Sequence, residues 1–207
     1  MNSIKNKKYR QLCRVDRFSV HAVRFTKTNL IEITEERFYN FAMSHYRRLK
    51  IKGGLYFFTV VTYQRQPIFN NETARVCLRQ VWIDVRQRWP FDVIALCLLP
   101  DHLHCIWQLP EEDDNFSIRW SLIKRRFVQE YRQTGSCGLQ HGVSGMSRNE
   151  SGIWQRRFWE HNIKDRSDLQ KHIDYIHMNP IKHGLVGKAE DWPWSTYKRY
   201  LVHPVNE

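Results

Sequence analysis

A chain of 207 residues, 42% apolar and 14% aromatic, is long enough to bury a core within one domain, which excludes a disordered or low-complexity polymer. The longest apolar run, Val93 to Leu99, is too short to span a bilayer, and the N-terminus opens on polar and basic residues without an apolar export signal. A net charge of +12 points instead to a polyanionic partner, nucleic acid first among them, and the five scattered cysteines (Cys13, Cys77, Cys97, Cys105, Cys137), lacking any C-x-x-C pair, fit a reducing cytoplasm.

In chain order, residues 1–42 are basic and keep no sustained period, so they read as an appendage: a basic DNA-binding arm, or a leader upstream of a start at Met43, the second being preferred. Patterning becomes regular from Met43. Gly53 and Gly54 open an alternating run, Leu55 to Tyr63, rich in aromatic and β-branched residues, which predicts a strand. Asn71 is placed to cap a helix from Glu72 to about Arg88, with Val76, Val81, Trp82 and Val85 near helical spacing and Pro90 beyond its end. Phe91 to Leu98 reads as a second strand, Leu99-Pro100-Asp101 as a tight turn and His102 to Leu109 as a third strand, together a hairpin.

After the acidic loop Glu111 to Asp114, Asn115 caps a second predicted helix with Phe116, Trp120, Ile123, Phe127 and Tyr131 on one face. Residues 134–152 are rich in Gly and Ser and read as a flexible loop. Trp154 to Ile163 is a fourth strand candidate. A short helix follows, with Ser167 and Gln170 as its capping box and a stop at Asn179, ahead of Pro180. The expected class is α+β, a ferredoxin-like βαββαβ antiparallel sheet with helices on one face and an added C-terminal helix.

Basic residues come in short clusters near aromatic ones: Arg47, Arg48, Lys50 and Lys52; Lys124, Arg125 and Arg126; Arg156 and Arg157; Lys198 and Arg199. Phosphate neutralisation beside stacking platforms suits single-stranded nucleic acid, where stacking contributes roughly 1–3 kcal/mol per base. His102 and His104 sit at i and i+2 of a strand, so both imidazoles face one side while Leu103 turns into the core. Such a pair suits a metal, although the spacing also arises by chance. On the last helix Tyr175 and Asn179 share a face, separate from the apolar stripe Leu169, Ile173, Ile176. On residue pattern alone, the reading of Tyr175 as a packing tyrosine and of Asn179 as satisfying the helix end prevails.

Five segments taken together change that balance. They are Tyr46-Arg47-Arg48 with Gly53-Gly54; Leu99-Pro100-Asp101-His102-Leu103-His104-Cys105-Ile106-Trp107; Trp154-Gln155-Arg156-Arg157-Phe158-Trp159-Glu160-His161; Asp174 to Gly184; and Asp191-Trp192-Pro193-Trp194-Ser195-Thr196. In this order and spacing the chain from Met43 onward resembles the HUH-type single-tyrosine transposases, and among them the REP-associated tyrosine transposases. The 1–42 extension and the long Gly/Ser-rich insert depart from the family pattern.

The resemblance implies that His102 and His104 bind a divalent cation, that Tyr175 is the nucleophile, and that Asn179 stands where relatives place a third metal ligand. It also implies a substrate: palindromic repeats that fold into single-stranded DNA hairpins, flanked by a recognition tetranucleotide, handled by one chain or by two. A phenol near pKa 10 needs help to attack phosphorus at neutral pH, from a polarised phosphate and nearby positive charge. Lys171, one turn before Tyr175, is a candidate for that charge. Mg²⁺ or Mn²⁺ suits a shell of imidazole, amide, water and phosphate oxygen, with Mn²⁺ favoured by two histidines. His161, His172, His177 and His183 are further candidates near the site, each read first as structural or phosphate-contacting. Two alternatives compete: a non-catalytic module of RNA-binding type, which does not need the His102, His104 and Tyr175 set, and a metal-dependent hydrolase, which lacks the expected carboxylates.

Overall fold

A computed structural model describes residues 48–135 and 152–202. Residues 1–42 and most of residues 134–152, expected above to be an appendage and a flexible loop, therefore lie outside the described residues. Four strands form one antiparallel sheet: β1 (Leu55–Val61), β2 (Asp92–Leu98), β3 (His102–Gln108) and β4 (Trp159–Asn162), in the spatial order β2-β3-β1-β4. The helices are α1 (Glu72–Arg88), α2 (Phe116–Gln133), α3 (Arg166–Lys182) and a short α4 (Tyr197–Val202). Strands and helices alternate as βαββαβ before α3, which is the ferredoxin-like arrangement expected from the sequence. Among the described residues no helix is long and apolar enough to cross a membrane.

Both early helices begin where an asparagine can take up free backbone donors. The Asn71 side chain accepts from the Thr73 and Ala74 amides at 2.8 and 3.4 Å, and Asn115 from Ile118 at 3.2 Å. Helices α1 and α2 cover one face of the sheet, burying Tyr56, Phe58, Leu103 and Trp107 against Val81, Trp120 and Phe127. Trp107 and Trp120 stack with centroids 4.4 Å apart and planes 13° from parallel. Helix α3 covers the opposite face, where Ile173 and Ile176 meet Phe57 and Ile106. This two-sided cover explains why β1 is apolar at nearly every position instead of alternating cleanly with polar residues.

The paired glycines have distinct roles. Gly53 adopts φ +62°, and its N–H donates to Pro110 and Asp113 carbonyls, turning the chain into β1. At Gly54 a Cβ would lie 2.5 Å from the Tyr56 ring, so only hydrogen fits. The outer edge of β2 is closed by the C-terminal segment, where the Leu98 N–H donates to Trp194 O and the Thr196 N–H to Leu96 O, both at 2.8 Å.

Beyond a residue or two at the ends of β1, β2 and β3, three boundaries differ from the sequence reading. The fourth strand is confined to Trp159–Asn162, with Trp154 making only an isolated bridge to Thr62. Helix α3 is capped by Asp165, whose side chain accepts from the Asp168 N–H at 2.9 Å, not by Ser167. It also runs through Pro180 to Lys182, with His183 as its C-cap and Gly184 beyond it at φ +65°. Proline removes one donor but falls in the last turn, where the Leu185 N–H can still reach Pro180 O at 2.9 Å and the left-handed glycine closes the helix.

Candidate functional site

The site lies between the α3 face of the sheet and α3 itself. Pleating turns His102 and His104 of β3 to this face and sends Leu103 to the opposite core, as the i, i+2 spacing predicts. Their rings lie 4.8 Å apart at 83°. Both residues are buried, exposed by 1% and 2%. On α3, Asn179 is likewise 1% exposed, and its amide nitrogen approaches Tyr175 O at 3.4 Å. Tyr175, half-buried, places its ring 5.1 Å from that of His104 and 5.9 Å from that of Phe57.

Each imidazole spends one nitrogen on a neighbour and leaves the other pointing inward. His102 Nδ1 lies 2.6 Å from Asp101 Oδ1, and the other carboxylate oxygen of Asp101 accepts from Arg65 at 3.0 Å. His104 Nδ1 lies 2.9 Å from Thr59 Oγ1, its partner across the β1–β3 register. The remaining His102 Nε2, His104 Nε2 and Asn179 Oδ1 are buried with no hydrogen-bond partner. Orphaned polar atoms of this kind cost stability unless something pairs with them. Two imidazoles and an amide oxygen, each ring oriented through its other nitrogen, are a donor set suited to a divalent transition ion.

Electrostatics agree with that use. Burial, then the neighbouring His102, His183, Arg65 and Lys182, holds the His104 imidazole well below its ordinary pKa, so it is neutral and its lone pair is available. Burial acts to raise the Asp101 carboxyl, but the bonds to His102 and Arg65 prevail and keep it below its ordinary value. The ammonium of Lys182 stands 5.0 Å from the centre of the Tyr175 ring.

A second cluster is built differently. His161 Nε2 lies 2.8 Å from Asp168 Oδ2, and His172 Nδ1 lies 3.1 Å from Asp168 Oδ1 and 2.8 Å from the Asp168 backbone carbonyl. Its ligand-type atoms all fall within 4.8 Å, so it can also accept a cation. The contrast is that these nitrogens already have partners, and the two rings lie nearly parallel, 4.8 Å apart at 15°, instead of converging.

The sequence profile described as "Transposase IS200 like" matches residues 51–179, a span containing the histidine pair, Tyr175 and Asn179. The chain belongs to the IS200-like transposases. An Escherichia coli REP-associated tyrosine transposase is 45% identical over 157 residues, 76% of this chain and 84% of that protein. A Haemophilus influenzae protein of the same kind is also 45% identical over 157 residues and is covered to 87% of its length. A solved REP-associated tyrosine transposase, bound to a REP hairpin, superposes with a TM-score of 0.65 at 43% identity, covering 80% of this chain and 89% of that one. These are DNA-cleaving, strand-transferring enzymes, which sets aside the alternative of a purely non-catalytic binding module.

The basic residues expected to meet DNA are differently disposed in the transposase. Arg47 lies outside the described residues. Arg48 is held by the protein: its guanidinium pairs with buried Glu160 at 3.3 Å, donates to Ser117 Oγ at 3.0 Å and covers the Phe158 ring at 4.0 Å. Lys52 pairs with Glu112 at 2.8 Å, and Lys50 lies 3.9 Å from Asp114. Lys124 Nζ donates to the Gln155 and Arg156 carbonyls, and burial pushes its pKa down to about 8. Arg125, Arg156, Arg157 and Lys171 are exposed, and Arg126 is half-buried.

Sequence reasoning offered Lys171, one turn before Tyr175, as a candidate cation beside the phenol; it did not single out Lys182, two turns beyond Tyr175, whose ammonium stands at the ring. It passed over Thr59 and Arg65 as well. Thr59 reaches His104 only through strand register, and Arg65 reaches Asp101 only because the Gln64–Arg65 turn adopts positive φ, 51° at both residues.

Proposed function

We propose that this transposase cuts and rejoins single-stranded DNA at REP-type hairpins, with Tyr175 as nucleophile and a divalent cation held by His102, His104 and Asn179. The observation that carries the reading is the set of three buried acceptor atoms without a protein partner, beside a half-buried tyrosine. Mg²⁺ or Mn²⁺ bound there supplies Lewis-acid polarisation of the scissile phosphate. His104 stays neutral, and Thr59 and Asp101 fix the rings that would hold the ion.

Attack by the Tyr175 hydroxyl oxygen forms a bond to phosphorus as the bond from phosphorus to the 3′ oxygen breaks. The phenolic proton is lost, the departing oxygen gains one, and the products are a 5′-phosphotyrosine and a free 3′-hydroxyl. Because the phosphoester is conserved, rejoining is the reverse step with a new 3′-hydroxyl. Lys182, beside the ring, offsets charge that develops on the phosphate. The hairpin substrate is inferred from the 43% identical transposase bound to a REP hairpin. Exposed Arg125, Arg156, Arg157 and Lys171 are the surface we assign to its backbone. We infer that the reaction takes place where the DNA of a bacterial cell lies, in its cytoplasm.

The test is cleavage of a REP-hairpin oligonucleotide, single-stranded or duplex, with Mn²⁺ or with chelator, resolved on a denaturing gel. A covalent protein–DNA adduct formed on the single strand only with the ion supports the proposal. Cleavage without an adduct removes Tyr175 from the chemistry.

A further inference from the structure

We propose that His183 is a further ligand of the metal site, completing a three-imidazole set with His102 and His104. This rests on the metal reading above and adds a residue to it.

Imidazole nitrogens bind such ions at about 2.0–2.2 Å, which puts each ring centroid about 3.2 Å from the ion, so two rings on one ion at about 90–110° have centroids about 4.5–5.4 Å apart. His102 and His104 meet this condition at 4.8 Å. His102 and His183 meet it too, at 5.3 Å and 65° between planes. The two rings of the Asp168 cluster meet it only in separation, because their near-parallel planes do not point both lone pairs to one place.

The fold supplies the position. His183 is the residue that ends α3, its N–H donating to Asn179 O at 3.0 Å, so it follows Asn179 by one helical turn on the face that looks toward the histidine pair. His183 is exposed whereas His102 and His104 are buried, so it sits at the mouth of the site, where a ligand can engage after an ion enters.

Mn²⁺ titrated into the full-length protein without DNA, followed by electron paramagnetic resonance, gives the free ion concentration, and electron spin-echo modulation counts the coordinated imidazoles. The parent should show three. His183→Ala should show two and bind Mn²⁺ about tenfold more weakly or worse, a scale set by the loss of lesser partners at metal sites. His183→Phe, which keeps the bulk of the ring without a donor atom, should behave the same and controls for loss of packing at the helix end. A parent count of two, or a His183→Ala variant with unchanged count and affinity, overturns the assignment of His183 while leaving the other ligands in place. A parent with no coordinated imidazole overturns the metal reading itself.

Discussion

Asn179→Leu should make the protein more stable and less active at once. The Asn179 side chain is 1% exposed, its Oδ1 has no partner, and its amide nitrogen reaches Tyr175 O only at 3.4 Å. An unsatisfied buried acceptor costs about 1–3 kcal/mol, and a long neutral hydrogen bond returns less than about 1 kcal/mol. Leucine has nearly the same shape, so the swap removes the penalty without opening a cavity, and we expect a net gain of about 1 kcal/mol. For a chain of this size that is a rise in Tm of about 2–4 °C. The assay is thermal unfolding in chelator, repeated with Mn²⁺. In the parent Mn²⁺ raises Tm by binding the folded state, whereas in the variant it raises Tm less, and cleavage falls. A variant that melts below the parent in chelator would show that Asn179 is already satisfied by the protein and that its orphaned oxygen is no sign of a ligand site.

Tyr175→Phe should abolish cleavage and adduct formation while leaving hairpin binding near the parent value, checked by gel shift beside the cleavage assay; residual cutting refutes the nucleophile. Arg119 is wholly buried and donates to the Trp89, Asn115 and Pro90 carbonyls and the Asp113 carboxylate, so Arg119→Ala should cost about 3–5 kcal/mol in chemical denaturation. Lys124 has a depressed folded-state pKa of about 8 against 10.5, so between those values the unfolded chain binds the extra proton and stability rises with pH. Relative to Lys124→Met the rise should reach about 3 kcal/mol by pH 10.5, and parallel stability curves refute it. In hairpin binding, replacing Arg156 and Arg157 together should flatten the slope of log affinity against log salt by about 1.4, whereas Lys124→Met should leave it unchanged because its ammonium is spent on two carbonyls. Deleting residues 1–42 should leave a folded, active enzyme, measured by melting and cleavage.

What the sequence determined by itself was whatever depends on local period and covalent neighbours. A strand has a repeat of two, so His102 and His104 had to share a face wherever β3 went. A helix has a repeat of 3.6, so Tyr175 and Asn179 had to share one as well. The Asn71 and Asn115 caps, the hairpin from β2 to β3 and the order of elements follow from the same short-range rules. The Ser167 cap and the stop before Pro180 were misplaced by those rules, since Asp165 competes for the same amides and a proline in the last turn loses only one bond.

Only the tertiary structure decided which groups are spent and which remain. Arg48 and Lys124 look like phosphate ligands in a list of basic residues, but buried Glu160 and two loop carbonyls, far off in sequence, already hold them. Thr59 becomes the partner of His104 through a strand pairing 45 residues apart. Packing α3 across the sheet puts His183 beside His102, and it leaves His102 Nε2, His104 Nε2 and Asn179 Oδ1 without a partner. Sequence spacing sets the direction of each side chain, but satisfaction of a buried polar atom depends on neighbours that only folding brings near.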